Sequence, residues 1–148
     1  MHINEKESGI TYTKRPGAYI IITRNEDNKI AIVKEKNKYF YFGGGIENNE
    51  EPIEALKREL IEELGYTLKN VKPYKILNSY EYSYDKGYLD VTSNIFLGEL
   101  DKKVTEPIEK DHDLIWINPQ DYIGKMYHFW HNYILDVYTK EIKDNIEK

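Results

Sequence analysis

The chain has 148 residues, a formal net charge of −5 and no cysteine. This length favours a single domain over residues 1–148, with a core large enough to fold without cross-links. The absence of cysteine excludes disulfides, a thiolate nucleophile and a cysteine-ligated zinc site. The acidic balance argues against a broad basic face for nucleic acid. It does not argue against a small phosphate substrate, because bound cations can reverse the local field.

The start of the chain and its apolar runs bear on location. The segment 1–9 is polar and charged, so we expect no signal peptide. No apolar run approaches the roughly 20 residues that a membrane-spanning helix needs. We therefore expect a cytoplasmic protein with no membrane partner.

The first part of the chain predicts a hairpin followed by a glycine run. The continuous apolar run 18–23 is typical of a strand buried on both faces, and Pro16 should separate it from a shorter strand. A polar turn at 25–28 should reverse the chain. After an aromatic strand, three consecutive glycines (43–45) allow backbone conformations closed to other residues. The strands predicted in this part are 10–14, 18–23, 29–34 and 39–42.

A helix is predicted over 52–64. Pro52 lies in the first turn, where its missing N–H is no loss, and Gly65 lies where a glycine cap ends a helix. Apolar residues recur at helical spacing and should form the side packed on the core: Ile53, Leu56, Leu60 and Leu64.

The second part of the chain predicts further strands and a last helix over about 127–142. A charged loop covers 101–113, and a helical turn is expected at 119–122. Strands on both sides of a mid-chain helix, with another helix at the end, indicate a mixed sheet with helices packed on it. The strands predicted here are 68–78, 80–84, 89–100 and 114–117.

Three acids of the mid-chain helix form a candidate metal site. Glu59, Glu62 and Glu63 stand at positions i, i+3 and i+4, so they share one side of the helix. Their like charges repel, and the second half of a helix disfavours anions. A hard cation such as Mg²⁺ would relieve this repulsion, and Arg58 can orient a neighbouring acid. The alternative is a solvated acidic face held by salt bridges.

The residues from Gly44 to Tyr66 resemble the Nudix box, G-x5-E-x7-R-E-U-x-E-E-x-G-U, in which U is bulky and aliphatic. Seven fixed letters at fixed spacing should arise by chance on the order of once in 10⁸ starts. Two positions depart from the pattern: Tyr66 is aromatic, and Phe42 stands where many members have proline. The matching residues are Gly44, Glu50, Arg58, Glu59, Leu60, Glu62, Glu63 and Gly65.

The resemblance extends more weakly beyond the box. The paired strands over 16–34 look like the family's opening hairpin, and the segment 114–119 looks like its late apolar-Trp-apolar strand. The implied fold is α/β, a Nudix-type α/β/α sandwich with a mixed β-sheet flanked by helices. The coarse reading of the elements agrees with this fold.

The resemblance also implies roles for the residues of the box. Glu59, Glu62 and Glu63 should coordinate Mg²⁺ or Mn²⁺. Arg58 should orient a box glutamate, and Glu50 should brace Arg58. Water would attack one phosphorus of a diphosphate bridge, with Glu59 or Glu63 as the general base. The glycines Gly43, Gly44 and Gly45 should let the backbone approach phosphate or metal, with the Gly43 carbonyl as a further ligand; Glu109 and Asp111 are candidates for an added ligand or base.

The implied function is hydrolysis of the diphosphate linkage in a nucleoside di- or triphosphate or a related nucleotide derivative. The partner is thus a small nucleotide-like diphosphate, and a homodimer is possible. The alternatives are a catalytically silent nucleotide-sensing domain and a hydrolase of ADP-ribose or a nucleotide sugar. An isoprenoid diphosphate isomerase would need a catalytic cysteine, and the acidic balance disfavours RNA-end processing.

Histidines and aromatic residues outside the box are predicted to be structural. Helical and loop histidines more often serve structure than catalysis. A helix that packs on a sheet buries several of its rings, so stacking on a base is the less favoured role. These residues are His112, His128 and His131, and on the last helix Tyr127, Phe129, Trp130, Tyr133 and Tyr138.

Overall fold

The computed structural model describes the backbone of residues 1–147 and the side chains of residues 1–145. Within this part of the chain it has seven strands, two α-helices and a 3-10 turn at Pro119–Asp121. The elements are β1 (Thr13–Thr23), β2 (Ile30–Glu35), β3 (Lys38–Phe40), β4 (Phe42–Gly45), α1 (Pro52–Leu64), β5 (Tyr66–Ser83), β6 (Gly87–Lys103), β7 (Asp113–Ile117) and α2 (Phe129–Glu147).

The strands form one branched, mixed sheet with β1 at its centre. β6 runs parallel to β1 along Thr13–Ile22, and β5 pairs antiparallel with β6. The other edge of β1 is shared: β4 pairs with Gly17–Ile20, and β2 pairs with Ile22 and Thr23. β2 also pairs with β3 and β7. The glycine run of β4 is therefore held against β1, directly before the loop that leads into α1.

The two helices cover opposite faces of this sheet. Along β1, Ile20 and Ile22 pack in the cluster that contains α1, whereas Ile21 packs in the cluster that contains α2. The alternation follows from the period of two residues in a strand. Burying each such side chain stabilises the fold by about 1.5–3 kcal/mol. The α/β/α sandwich predicted from the sequence is confirmed, and the run 18–23 is buried on both faces as expected.

The bounds of α1 agree with the sequence prediction because local signals fix both ends. Glu54 accepts the backbone N–H of Glu51 through its side chain at 2.9 Å, and Pro52 lies at the start of the helix. Gly65 ends the helix with φ 76°, in the left-handed region that favours glycine. A Cβ at Gly65 would lie 1.9 Å from the carbonyl oxygen of Thr105, so no larger residue fits there.

Pro16 does not interrupt the first strand, contrary to the prediction. The carbonyl of Pro16 accepts a hydrogen bond from Ile46, so its backbone points away from β6 and towards β4. The N–H that proline lacks would point to the same side, beyond Gly45, where the β4 ladder ends. The ladder with β6 therefore continues through Pro16, as proline permits when its nitrogen faces away from the paired strand.

Three other boundaries differ from the prediction. The aromatic strand predicted over 39–42 is divided at Tyr41 into β3 and β4, and β4 continues through the three glycines. The two strands predicted around residue 79 are one strand, β5, because its long hairpin with β6 pairs them continuously from Lys75 to Ser83. The last helix begins at Phe129 rather than near residue 127. Neither helix of the described residues is long and apolar enough to cross a membrane.

Candidate active site

The acids of α1 meet a loop acid near the end of the helix. Carboxylate oxygens of Glu59, Glu62 and Glu109 lie within 4.8 Å of one another. Glu63, Glu109 and His112 form a second group of the same kind. The three helix acids predicted as ligands are thus divided between two adjoining groups, and Glu109 belongs to both. Glu109 was predicted only as a candidate for an added ligand or base.

The loop that carries Glu109 is held by the last carbonyls of α1. The carbonyl of Glu62 accepts the backbone N–H groups of Ile108 at 2.9 Å and Glu109 at 3.0 Å. The carbonyl of Gly65 accepts the backbone N–H of Val104 at 2.8 Å. Carbonyls at the end of a helix lack partners within it, so these bonds satisfy them. The same bonds fix Glu109 beside the acids of the helix.

Arg58 ties the helix to the glycine strand and to the loop between them. Its Nε and Nη2 donate to the two carboxylate oxygens of Glu50 at 2.8 and 3.0 Å. Nη2 also donates to the Gly45 carbonyl at 3.0 Å, and Nη1 donates to Glu59 at 3.1 Å. Nη1 lies 3.4 Å from Glu62. The hydrogen bond from Arg58 lowers the pKa of Glu50, so this acid stays ionised.

Burial and like charge raise the pKa values of two site acids. Burial raises the pKa of Glu59 to about 7, the charge of Glu63 adds to this effect, and Arg58 opposes it. Burial also raises the pKa of Glu63, whose side chain is only 4% exposed. Clustered carboxylates of this kind need a positive partner, and an all-oxygen donor set suits Mg²⁺ or Mn²⁺. The first group therefore fits a divalent cation.

His112 lies at the centre of the second group, where the sequence analysis assigned it a structural role. Its Nδ1 is 3.2 Å from Glu63 and 3.0 Å from Glu109, and its Nε2 is 3.2 Å from Glu35. The interaction with the nearby Glu63 carboxylate raises the pKa of His112 to about 9, and the charges of Glu109 and Glu35 add to this effect, so the ring is cationic at neutral pH. The sequence feature that could have indicated a role for His112 in the site is its position three residues after Glu109 and directly before β7.

The glycine run packs tightly between β1 and α1. The N–H of Gly43 donates to Glu63 at 3.0 Å. Gly43 has φ 132°, and a Cβ there would lie 2.2 Å from the Ala18 carbonyl oxygen. A Cβ at Gly44 would lie 2.7 Å from the Glu59 carboxylate. These two glycines therefore allow the acids to approach the backbone of the strand.

Two neighbouring cavities lie near the glycine strand, and Glu63 lines the first of them. The first has a volume of about 200 Å³ and the second about 400 Å³. Residues that line both are Arg15, Tyr19 and His128. The first is also lined by Gly43, Gly44, Glu63 and His112, and the second by Glu81, Tyr82, Tyr84, Lys86 and Tyr127. The cavities thus adjoin one another, with Glu63 beside the first only.

The remaining candidates from the sequence lie outside the two acid groups. Some of them are buried in the core, and others are exposed at the surface. Asp111 is exposed and belongs to neither acid group. His131 is buried, as a structural histidine would be. On the last helix, Trp130 and Tyr138 lie in the core as predicted. The prediction of a core position is wrong for three rings, which are 54%, 46% and 39% exposed: Tyr127, Phe129 and Tyr133.

In this α/β/α sandwich the glycine strand and the acidic helix meet at a cavity, which places a candidate metal site beside a space for a ligand. The model of the NUDIX domain matches residues 13–138 of the chain. The chain therefore belongs to the NUDIX family, and the resemblance read from the box is confirmed.

Known proteins similar to this chain are hydrolases by name. An ADP-ribose pyrophosphatase of Bacillus subtilis is 33% identical over 116 residues, which cover 74% of this chain and 60% of that protein. The chain thus spans about three fifths of the length of this relative. A NUDIX hydrolase from Nitrosomonas europaea has a TM-score of 0.70 at 16% identity, covering 87% of this chain and 90% of that chain. A MutT NUDIX hydrolase from Burkholderia pseudomallei has 0.66 at 21%, covering 83% and 95%. At these identities the two solved structures bear on the fold alone.

Proposed function

We propose that this protein is a divalent-metal-dependent pyrophosphohydrolase that cleaves the diphosphate linkage of a nucleotide derivative. The observation that carries the proposal is the meeting of Glu59, Glu62 and Glu109 within 4.8 Å of one another, next to Glu63, which lines a cavity. This arrangement supports a cation held next to a bound phosphate. Membership of the NUDIX family supports the same chemistry.

In the proposed reaction, Glu59, Glu62 and Glu109 would hold Mg²⁺ or Mn²⁺, and Arg58 fixes the direction of Glu59 and Glu62. When bound, the cation neutralises charge on phosphoryl oxygens and lowers the pKa of water. The N–H of Gly43 and the ring of His112 hold Glu63 beside the cavity. This position supports Glu63 over Glu59 as the general base.

The bonds change in a simple order. Water attacks one phosphorus, and its proton passes to the carboxylate of Glu63. The bond from that phosphorus to the bridging oxygen breaks, and the leaving phosphate keeps the electron pair. One diphosphate and one water thus give two phosphate products, without an oxidant or a reductant.

ADP-ribose is the first substrate to test. The relative with this activity in its name is 33% identical over 116 residues, whereas the MutT structure is similar at the level of the fold. Hydrolysis of ADP-ribose would yield AMP and ribose 5-phosphate. Hydrolysis of a nucleoside triphosphate would yield a nucleoside monophosphate and pyrophosphate, so the products separate the two classes of substrate.

The experiment is a panel of ADP-ribose, nucleotide sugars and nucleoside triphosphates with Mg²⁺ or Mn²⁺, with products identified by mass. We expect turnover that chelator abolishes, and we expect Glu63→Gln to lower it by about a hundredfold or more with the fold intact. Glu106→Gln is the matched control, since the side chain of Glu106 is 84% exposed and its nearest ion-pair partner is Lys103. Full activity in excess chelator, or equal activity of Glu63→Gln and the control, would contradict the proposal.

A nucleotide-sensing domain without activity is the rival, and the same panel tests it. Such a domain would bind a nucleotide and release no product under any metal condition. The complete set of box acids supports hydrolysis, because a sensor has no need of all of them. A single domain over residues 1–148, a cytoplasmic location and a homodimer stay predictions.

A further inference from the structure

We propose that Arg15 binds the phosphate that stays attached to the nucleoside, and that the second cavity receives this nucleoside. The inference rests on the proposed function, because it assigns the two ends of the substrate to the two cavities. It names a phosphate-binding residue outside the box. It also implies a substrate in which a purine or pyrimidine ribonucleotide forms one side of the diphosphate.

Arg15 stands where a substrate would pass from one cavity to the other. It is half-buried near the start of β1 and lines both cavities. Its Nη1 lies 3.0 Å from the position of a Cβ at Gly45, so the guanidinium rests on the glycine strand. The Gly45 carbonyl is at the same time an acceptor for Arg58. The guanidinium groups of Arg15 and Arg58 thus both lie beside the backbone of Gly45.

The charge of the Arg15 guanidinium is not matched by a close ion pair within the part of the chain that the structure describes. Among the described residues, no carboxylate forms an ion pair with Arg15 within 4.0 Å, whereas Arg24 has two such partners and Arg58 has four. A half-buried guanidinium is desolvated in part, so an anion beside it gains more than it would in water. The planar fork of arginine matches two phosphate oxygens at once.

The charges along the two cavities fit a diphosphate in one direction. Glu63 lines the first cavity, and the other acids of the two groups lie behind it; together they attract cations, which would neutralise one phosphate. Arg15 lies between that end and the second cavity, where it would neutralise the other phosphate. A diphosphate that lies along this path would place the attached nucleoside in the second cavity.

The second cavity has the chemistry to hold a nucleoside. The rings of Tyr82 and Tyr127 line it and are 63% and 54% exposed, so each has a free surface for stacking on a base. Glu81 lines the same cavity and accepts the hydroxyl of Ser79 at 2.9 Å. Its second carboxylate oxygen suits a ribose hydroxyl or an exocyclic amine of the base. The volume of the second cavity, about 400 Å³, is in the range of cavities that bind small molecules.

The test has two parts. Calorimetry measures the binding of AMP to the metal-free protein. Kinetics measures KM and kcat with the compound of the substrate panel that the wild-type protein hydrolyses. Arg15→Gln should weaken AMP binding and raise KM by about tenfold or more, as for loss of a charge-assisted pair, with little change in kcat. Arg15→Lys should recover part of the affinity, because lysine keeps the charge and loses the fork.

Lys14→Gln is the matched control. It removes the same charge from the neighbouring residue of β1, whose side chain points to the other face of the strand. Lys14 lines neither of the two cavities. We expect KM and AMP affinity within about twofold of wild type, as is typical when an exposed charge is removed.

A second comparison separates the nucleoside cavity from the phosphate site. Tyr82→Ala should weaken AMP binding by about tenfold, as for loss of one stacked ring, and leave ribose 5-phosphate binding unchanged. Arg15→Gln should weaken both. Equal AMP affinity and equal KM in Arg15→Gln and Lys14→Gln would overturn the inference. If Arg15→Gln fails to fold, Arg15→Lys takes its place, and wild-type AMP affinity and KM in that variant would also overturn the inference. A wild-type protein that binds AMP through Arg15 but hydrolyses nothing would contradict the proposed function instead.

Discussion

Arg58 and Glu50 face each other through two parallel hydrogen bonds, at 2.8 and 3.0 Å, that join α1 to the loop before it. The paired geometry fixes the plane of the guanidinium as well as its position. Its remaining N–H groups therefore point at Glu59, Glu62 and the Gly45 carbonyl. Arg58 and Glu50 thus orient the proposed metal ligands, and neither of the two is itself proposed as a ligand.

The first prediction concerns Glu50. Glu50→Gln should weaken Mn²⁺ binding by about tenfold to a hundredfold, because a residue that orients ligands contributes on that scale. Calorimetric titration with Mn²⁺ measures the affinity. Glu47→Gln is the control: Glu47 lies 3.6 Å from the same guanidinium, but its side chain is 71% exposed. An equal loss in both variants would show that net charge near Arg58, rather than its orientation, is what matters.

The second prediction concerns the two glycines that touch the site. Gly44→Ala places a Cβ 2.7 Å from the Glu59 carboxylate, a flexible group that can move aside. We expect Mn²⁺ affinity to fall by about tenfold, as for a disturbed ligand, with the melting temperature nearly unchanged. Gly43→Ala instead meets the backbone of Ala18 at 2.2 Å with φ 132°, so it should destabilise the fold by about 1–3 kcal/mol. Thermal unfolding and Mn²⁺ titration of both variants check this contrast, which would be wrong if both lose the same property.

The third prediction links metal affinity to pH. Because burial and the charge of Glu63 raise the pKa of Glu59 to about 7, a proton must leave Glu59 when a cation binds near neutral pH. The apparent Mn²⁺ affinity should therefore rise from pH 6 to pH 8, by up to about tenfold per pH unit below pH 7. Titrations in buffers of different ionisation enthalpy measure the proton released. Glu59→Gln should abolish that release, and an affinity independent of pH would refute the assignment.

The fourth prediction concerns the stability of the fold in mild acid. Burial lowers the pKa of His131 well below its usual value, and both ring nitrogens lack hydrogen-bond partners among the described residues. The unfolded state takes up a proton as pH falls below about 6.5, and the folded state does not. This residue should therefore reduce the free energy of unfolding by about 1.4 kcal/mol for each pH unit below that point, until the lowered pKa is reached.

The measurement is urea unfolding of wild type and His131→Phe at pH 7.5 and pH 5.5. Phenylalanine has a similar shape and removes the two unpaired nitrogens from the core. The variant should lose less stability than wild type between the two pH values. Parallel losses in both proteins would assign the acid sensitivity to other groups.

The sequence predicted the parts of the site whose geometry is local. The bounds of α1 follow from Pro52 and from the cap at Gly65, and the shared side of its acids follows from the helical period. The ion pair of Arg58 with Glu50 lies within the box, where its spacing is part of the pattern. The strands were harder to place, because strand pairing decided that Pro16 continues β1 and that β5 is a single strand.

The tertiary structure alone decided which residues join the box. The sequence offered both Glu109 and Asp111 as loop candidates, and the fold selected Glu109, because the loop after β6 satisfies the last carbonyls of α1 and holds Glu109 beside the helix acids. His112 meets Glu63 across a long separation in the chain, and Arg15 reaches the cavities through the pairing of β1 with β4. Helix geometry is set by hydrogen bonds between residues four positions apart, so it can be read from the chain. The cavities and their charges depend on contacts between distant segments, which only the folded sheet brings together.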